Sequence, residues 1–88
     1  MEGYVYIIQS EKHGRYYIGS CTDLQRRISD HNRGNTTSTR NQGPWILVYN
    51  KKENTLIEAR AEEKRIKKWK SKVMIEKLIN TQLVEPRH

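Results

Sequence analysis

Five residues of this chain have types and spacings suited to chemistry: Tyr6, Tyr17, Arg27, His31 and Glu63. The two tyrosines lie in short β-branched and aromatic runs, YVYIIQ (4–9) and RYYIGS (15–20), separated by the polar turn SEKHG. Alternation of side chains along paired strands can aim both phenols at one face. Arg27 and His31 are four residues apart and fall along the apolar sector set by Leu24 and Ile28, so they share one edge of a helix. A guanidinium on a buried side is costly unless paired. The same spacing also suits an arginine that reaches solvent along its aliphatic stem beside a partly buried histidine, so the helix alone leaves both readings open. Glu63 interrupts an apolar stripe running from Ala59 to Ile66, and Glu62 borders it. A single carboxylate can hold a hard divalent cation when waters and a substrate phosphate complete the shell. Pairing with a neighbouring Lys or Arg is the alternative use of that carboxylate.

The elements that must position these residues are legible as punctuation and period. The two tyrosine-bearing runs read as a hairpin, with Gly14 free to take positive φ. Thr22 and Gln25 form a capping box, Asp23 sits in the first turn and Gly34 supplies a stop, which predicts a helix over about 23–33. The stretch 32–43, NRGNTTSTRNQG, is polar and aperiodic. Loops of about a dozen residues in a compact domain are usually functional or mobile. PWILVYN (44–50) reads as a third strand with Pro44 at its first position. A second helix begins near Thr55, with Ala59, Ile66 and Trp69 inward. Ser71 caps a third helix that runs through Val73, Met74, Leu78 and Ile79. Trp45, Tyr49 and Trp69 are expected in the core or flanking it, because a chain with no Phe has few other large apolar groups. The predicted architecture is α/β in the α+β sense: a small three-stranded antiparallel sheet flanked by helices, in the order β-β-α-β-α-α. One domain is expected over residues 1–82, with 83–88 as a tail.

Charge narrows the function. The 88 residues carry 17 Lys and Arg against 10 Asp and Glu, a net charge of +7. A polyanion is the natural partner, since clustered cations release counterions from phosphates. The segment 60–77 holds eight of those basic residues and only three acidic ones. Cys21 is the only cysteine, which excludes an internal disulfide and any Cys-based zinc cage, and a disulfide-linked partner is not expected. No apolar run approaches the roughly 20 residues of a membrane span, and the N-terminus lacks a basic-then-apolar pattern. The expectation is a cytoplasmic protein with no membrane partner.

Four of these motifs, in order, resemble the GIY-YIG nuclease superfamily. Tyr4-Val5-Tyr6 and Tyr17-Ile18-Gly19 resemble its paired signature, TDLQRRISDHNRG its arginine helix, PWILVY its third strand and ARAEEKRIKKWK its glutamate helix. The likeness spans about residues 3–80 and is greatest to small stand-alone bacterial members, in which the domain is the whole polypeptide. It implies that Tyr6, Tyr17, Arg27, His31 and Glu63 are catalytic, that Gly19 is structural at the site, and that Glu63 is the ligand of one divalent cation, Mg²⁺ or Mn²⁺. Three positions depart from the pattern: Tyr4 replaces a glycine, Ser20 stands where some members carry lysine, and Glu62 where relatives often carry arginine.

On that resemblance the expected activity is metal-dependent endonucleolytic hydrolysis of DNA, in repair or recombination. Tyr6 would take a proton from water, directly or through a water chain, with its phenol made more acidic by Arg27, a protonated His31 or a hydrated cation. Tyr17 would orient the water, Arg27 would bind the scissile phosphate, and Glu63 would place the cation on the leaving-group side. Gly19 would let backbone approach the site. The alternative is a nucleic-acid-binding module of the same fold with little or no cleavage. Arg33, Lys64, Lys67, Lys68, Lys70 and Lys72 are too many to serve one site and are assigned to backbone phosphates. Replacing any one with alanine should weaken DNA binding across all sequences and lower the slope of log K against log salt by up to about one. Titrations at several salt concentrations check this; an unchanged slope would make the basic segment a solvated face only.

Overall fold

A computed structural model describes residues 1–83, so residues 84–88 of the expected tail lie outside the described residues. The elements are β1 (Gly3–Ser10), β2 (Tyr16–Cys21), α1 (Leu24–Arg33), a short 3-10 turn (Thr37–Thr39), β3 (Trp45–Glu53), α2 (Leu56–Trp69) and α3 (Lys72–Leu83). The predicted order and the antiparallel sheet are both present. The strands run in the order β2-β1-β3, so the N-terminal strand is central. That position explains its composition: Val5, Tyr6, Ile7 and Ile8 are all buried because both faces of β1 are covered.

Alternation along β1 divides the interior into two cores. Val5 and Ile7 face α2 and α3 and pack with Ile18, Tyr49, Ile66 and Ile79. Tyr6 and Ile8 face α1 and pack with Trp45, Tyr17, Leu24 and Ile28. Strand β3 serves both cores through a bulge. Ile7 pairs with Tyr49 but Ile8 pairs with Leu47, so Val48 is the unpaired extra residue. The bulge switches the inward set, and Tyr49 enters one core while Trp45 enters the other. Gly3 lets α2 lie close to β1, since a Cβ there would stand 2.7 Å from Leu56 Cα.

Local signals are met with small displacements. Asp23, not Thr22, caps α1, accepting from Arg26 N–H at 3.2 Å, while Gly34 ends it at φ 79°. Two adjacent cap-competent residues made the shift of one possible. Thr55 and Ser71 cap α2 and α3, accepting from Glu58 N–H and Met74 N–H. Strand β3 begins at Trp45, one residue after Pro44, and runs on to Glu53. Trp45 and Tyr49 are buried, and Trp69 packs half-buried against the α2 core. Helix α3 presents a different face from the one its apolar run suggests: Val73 and Met74 are exposed, while Ile75, Leu78 and Ile79 pack inward.

The polar stretch between α1 and β3 is firmly tied. Asn32 spans the gap with both ends of its amide, accepting from Trp45 N–H at 2.7 Å and donating to Trp45 C=O at 3.2 Å. The Trp45 indole N–H donates to Thr39 C=O at 3.1 Å, and Ser10 Oγ donates to Gln42 C=O at 2.5 Å. Replacing Asn32 with alanine leaves the Trp45 N–H without this acceptor, which costs about 1–3 kcal/mol. Thermal unfolding should fall by about 4–8 °C per kcal/mol in a domain of this size. A melting curve superimposable on wild type would show that water replaces the amide at no cost.

Candidate active site

Four of the five chemistry-bearing residues meet on the α1 face of the sheet. Register places Tyr6 opposite Gly19 on β1 and β2, and Tyr17 two residues before that glycine points the same way. The Tyr6 ring lies directly over Gly19, where a Cβ would fall 2.5 Å from the phenol oxygen. Gly19 thus admits an aromatic ring, where a backbone approach to the site was expected. Tyr6 and Tyr17 have ring centroids 6.5 Å apart, and His31 stands edge-on to both, at 5.8 and 4.9 Å. The Tyr6 hydroxyl bonds His31 Nε2 at 2.8 Å. Arg27, one turn earlier on α1, lies beside the Tyr6 hydroxyl.

The electrostatics of this cluster differ from the sequence expectation in two respects. Tyr6 is only 1% exposed, and burial pushes its phenol well above the ordinary range; Arg27 pulls the other way without prevailing. His31 is also 1% exposed, and burial, reinforced by the Arg27 charge, lowers it from 6.5 to about 4, against an opposing pull from Asp30. The pair is therefore a neutral phenol and a neutral imidazole at pH 7. The expectation was that Arg27, a protonated His31 or a hydrated cation would acidify Tyr6; exclusion of water outweighs Arg27 and keeps His31 unprotonated. Tyr17 is half-buried and keeps access to solvent.

Glu63 is held elsewhere. It projects from α2 and accepts from Ser20 Oγ at 2.5 Å, with Lys67 Nζ at 2.6 Å one turn along the helix. Ser20 follows Gly19 and points to the opposite face of β2, so Glu63 stands across an edge strand from the tyrosines. Glu62 is separately engaged: Arg65 grips it through two bonds and lays its guanidinium 5.2 Å above the Trp69 ring. Among the described residues no group of three or more His, Cys, Asp or Glu side chains forms a cage. The hard oxygens of Glu63 and Ser20 suit Mg²⁺ or Mn²⁺ as a largely hydrated ion, provided Lys67 gives way.

Arg33, Lys64, Lys67, Lys68, Lys70 and Lys72 are all exposed, and those that border a cleft border different ones. Lys67, Lys70 and Lys72 line a groove of about 400 Å³ with Arg15 and His13 of the hairpin, over an apolar floor of Ile18, Ile66 and Ile75. Arg33 stands with Lys12 at a separate cleft beside His31 and Asn32. Lys64 and Lys68 line neither.

Sequence reasoning missed Thr39, Ser20 as a partner of Glu63, and Asn32 as a tie. Thr39 is 1% exposed, and its hydroxyl bonds His31 Nδ1 at 2.8 Å. Nothing in the run NTTSTR marks one hydroxyl above the others.

Comparison with known proteins finds likeness over most of the chain. Residues 2–78 match the family described as the GIY-YIG catalytic domain. A UPF0213 protein of Halobacterium salinarum is 38% identical over 65 residues, 73% of this chain and 83% of that one. A UPF0213 protein of Halalkalibacterium halodurans is 45% identical over 49 residues, covering 54% of this chain and 51% of its own length. The solution NMR structure of a UPF0213 protein from Bacillus halodurans superposes with a TM-score of 0.59 at 34% identity, covering 92% of this chain and 85% of that one.

Stability should record the burial of neutral His31. The unfolded chain binds a proton near pH 6.5, the folded chain only near pH 4, so stability falls as pH drops through that window, by up to about 1.4 kcal/mol per pH unit. Denaturant titrations between pH 7 and 5 should show the slope in wild type and lose it in His31→Gln. A flat wild-type profile would mean that His31 is hydrated.

Proposed function

The chain belongs to the GIY-YIG catalytic domain family, a family of nucleases that act on nucleic acid and generally use divalent metal ions, and on that premise we propose that it is a metal-dependent endonuclease hydrolysing phosphodiester bonds in DNA, in repair or recombination. The observation that carries the reading is the convergence of Tyr6, Tyr17, Arg27 and His31 on one face of the sheet. Such a set has little use as packing, because it places a guanidinium and three polar ring groups where apolar side chains would fill the space more cheaply.

The roles follow from accessibility. Hydrolysis needs a water positioned and relieved of its proton, and charge on the phosphate stabilised. Tyr6 is enclosed and committed to His31, so it serves as a fixed polar group that orients. Tyr17, half-exposed on the same face, is the phenol that meets water and, as its phenolate, takes the water's proton to become the neutral phenol again. Arg27 keeps its charge at any working pH and binds the scissile phosphate, with its guanidinium held beside the Tyr6 oxygen. Strand β2 is an edge of the sheet, so a phosphodiester lying over it is reached by the tyrosines from one face and by Glu63 from the other. A divalent cation bound there by Glu63 would supply positive charge to the leaving oxygen. Holding a cation would require Glu63 to give up Lys67, which would then be free for a neighbouring phosphate.

The pairing of Glu63 with Lys67 is also the feature that favours the second reading, a binding module whose carboxylate is already neutralised. One experiment separates them: cleavage of branched DNA, damaged duplex, single strand and RNA with Mg²⁺, Mn²⁺ or EDTA. Glu63→Gln, Arg27→Ala and Tyr17→Phe should each cut cleavage by about 10²- to 10⁴-fold, the range for positioned acid-base groups. Folding should hardly change, and DNA affinity should hold in Glu63→Gln and Tyr17→Phe while Arg27→Ala weakens it by the loss of one phosphate contact. The triple variant should lose far less than the product of the three, because groups acting as a unit are non-additive. Equal cleavage by wild type and Glu63→Gln on every substrate would leave the binding module.

A further inference from the structure

The buried bonds around His31 have a direction, and it can be worked out from the inventory of donors and acceptors. Thr39 Oγ lies 3.4 Å from Thr36 C=O, which can only accept. If the Thr39 hydroxyl donates there, its oxygen is left to accept, and His31 Nδ1 at 2.8 Å must carry the hydrogen. A neutral imidazole protonated at Nδ1 has a bare Nε2, so the Tyr6 hydroxyl at 2.8 Å must donate to it. The Tyr6 oxygen then turns its lone pairs outward, towards the Arg27 guanidinium, which can only donate. In this arrangement the Thr39, His31 and Tyr6 hydrogens all have acceptors. The opposite polarity fails at one end: with Nε2–H donating to the Tyr6 oxygen, the Tyr6 hydrogen is left with no acceptor among its hydrogen-bond partners in the described residues.

We propose that Thr39 is a positioning residue: its hydroxyl fixes the hydrogen of His31 on Nδ1, thereby aims the Tyr6 O–H inward, and so presents the Tyr6 oxygen to Arg27. Thr39 touches neither substrate nor the reacting atoms. It acts through three side chains in series, from a loop that is itself clamped. The Trp45 indole holds Thr39 C=O, and Thr39 N–H bonds Thr36 C=O at 3.1 Å, so the hydroxyl cannot drift from the ring. This rests on the nuclease reading for its consequence in catalysis, but the direction of the bonds stands apart from that reading.

The test therefore has two arms. In the first, nitrogen-15 NMR of the histidine rings, at neutral pH and without metal or DNA, reads the tautomer directly. His31 should show a protonated Nδ1 and a bare Nε2 in wild type. The Nε2–H form in wild type would overturn the proposal, whatever the protein cleaves. Thr39→Val keeps the side-chain shape and removes the hydroxyl. It should shift the His31 ring signals away from this pattern, and Thr39→Ser should restore them. In the second arm, cleavage of the best substrate from the panel should lose about tenfold or more in kcat in Thr39→Val, with KM near wild type and recovery in Thr39→Ser. An unchanged tautomer and unchanged kcat in a folded Thr39→Val would overturn the positioning role. If no variant and no wild type cleaves, the nuclease reading fails while the NMR arm still decides the bond direction.

Discussion

The bond between the Tyr6 hydroxyl and His31 Nε2 is the constraint around which this small fold is arranged. Both groups are sealed from water, so each must be satisfied by protein. That requirement reaches outward in every direction. Beneath the phenol, Gly19 must lack a side chain. Behind the imidazole, the loop must deliver a hydroxyl, and Thr39 does so only because Trp45 grips its carbonyl and Asn32 ties Trp45 to α1. A loop of polar residues, with a composition that suggests freedom, becomes a wall of the site.

Two cores on opposite faces of one strand divide the labour. The α2 core is built from aliphatic groups and Tyr49 and supplies cohesion. The α1 core gives part of its volume to groups that are poor fillers but useful for chemistry, the phenols and the imidazole. In a domain this small such an exchange is affordable only on one side. It also explains why Glu63 stands apart. A carboxylate in the α1 core would face the same exclusion of water that holds His31 neutral, whereas beside β2 it is met by the Ser20 hydroxyl and the Lys67 ammonium.

Much of the architecture is written in short signals. Gly14, Gly34, Thr55 and Ser71 stand at turns and caps, and the apolar runs between them have lengths that suit one kind of element each. The order of elements follows. The misplaced details share a cause: they depend on what lies across space. Val73 and Met74 look as suitable for burial as Ile75 and Ile79, and only the arrival of α3 at β3 and Tyr16 chooses between them. Tyr6, Arg27 and His31 can be brought together on paper by strand alternation and helical spacing. Which of charge and burial governs the phenol depends on how completely the loop closes, and no periodicity reports that. Thr39 was invisible for the same reason, since four of the six residues in NTTSTR carry hydroxyls and one of them is selected by a tryptophan six positions later.

The bulge at Val48 gives β3 something like a reading frame. Upstream of it odd-numbered residues face α1, and downstream they face α2. Deleting this one valine would keep the strand hydrophobic and almost the same length, yet it would restore simple alternation and transpose one half of the strand relative to the other. Either Trp45 would leave the loop or Tyr49 would leave the aliphatic core. Swapping Val48 for another β-branched residue is a mild event by comparison. The information at this position lies in the count of residues and hardly at all in their identity, so a comparison that scores letters while allowing free gaps would overlook the feature that lets one strand serve two interiors.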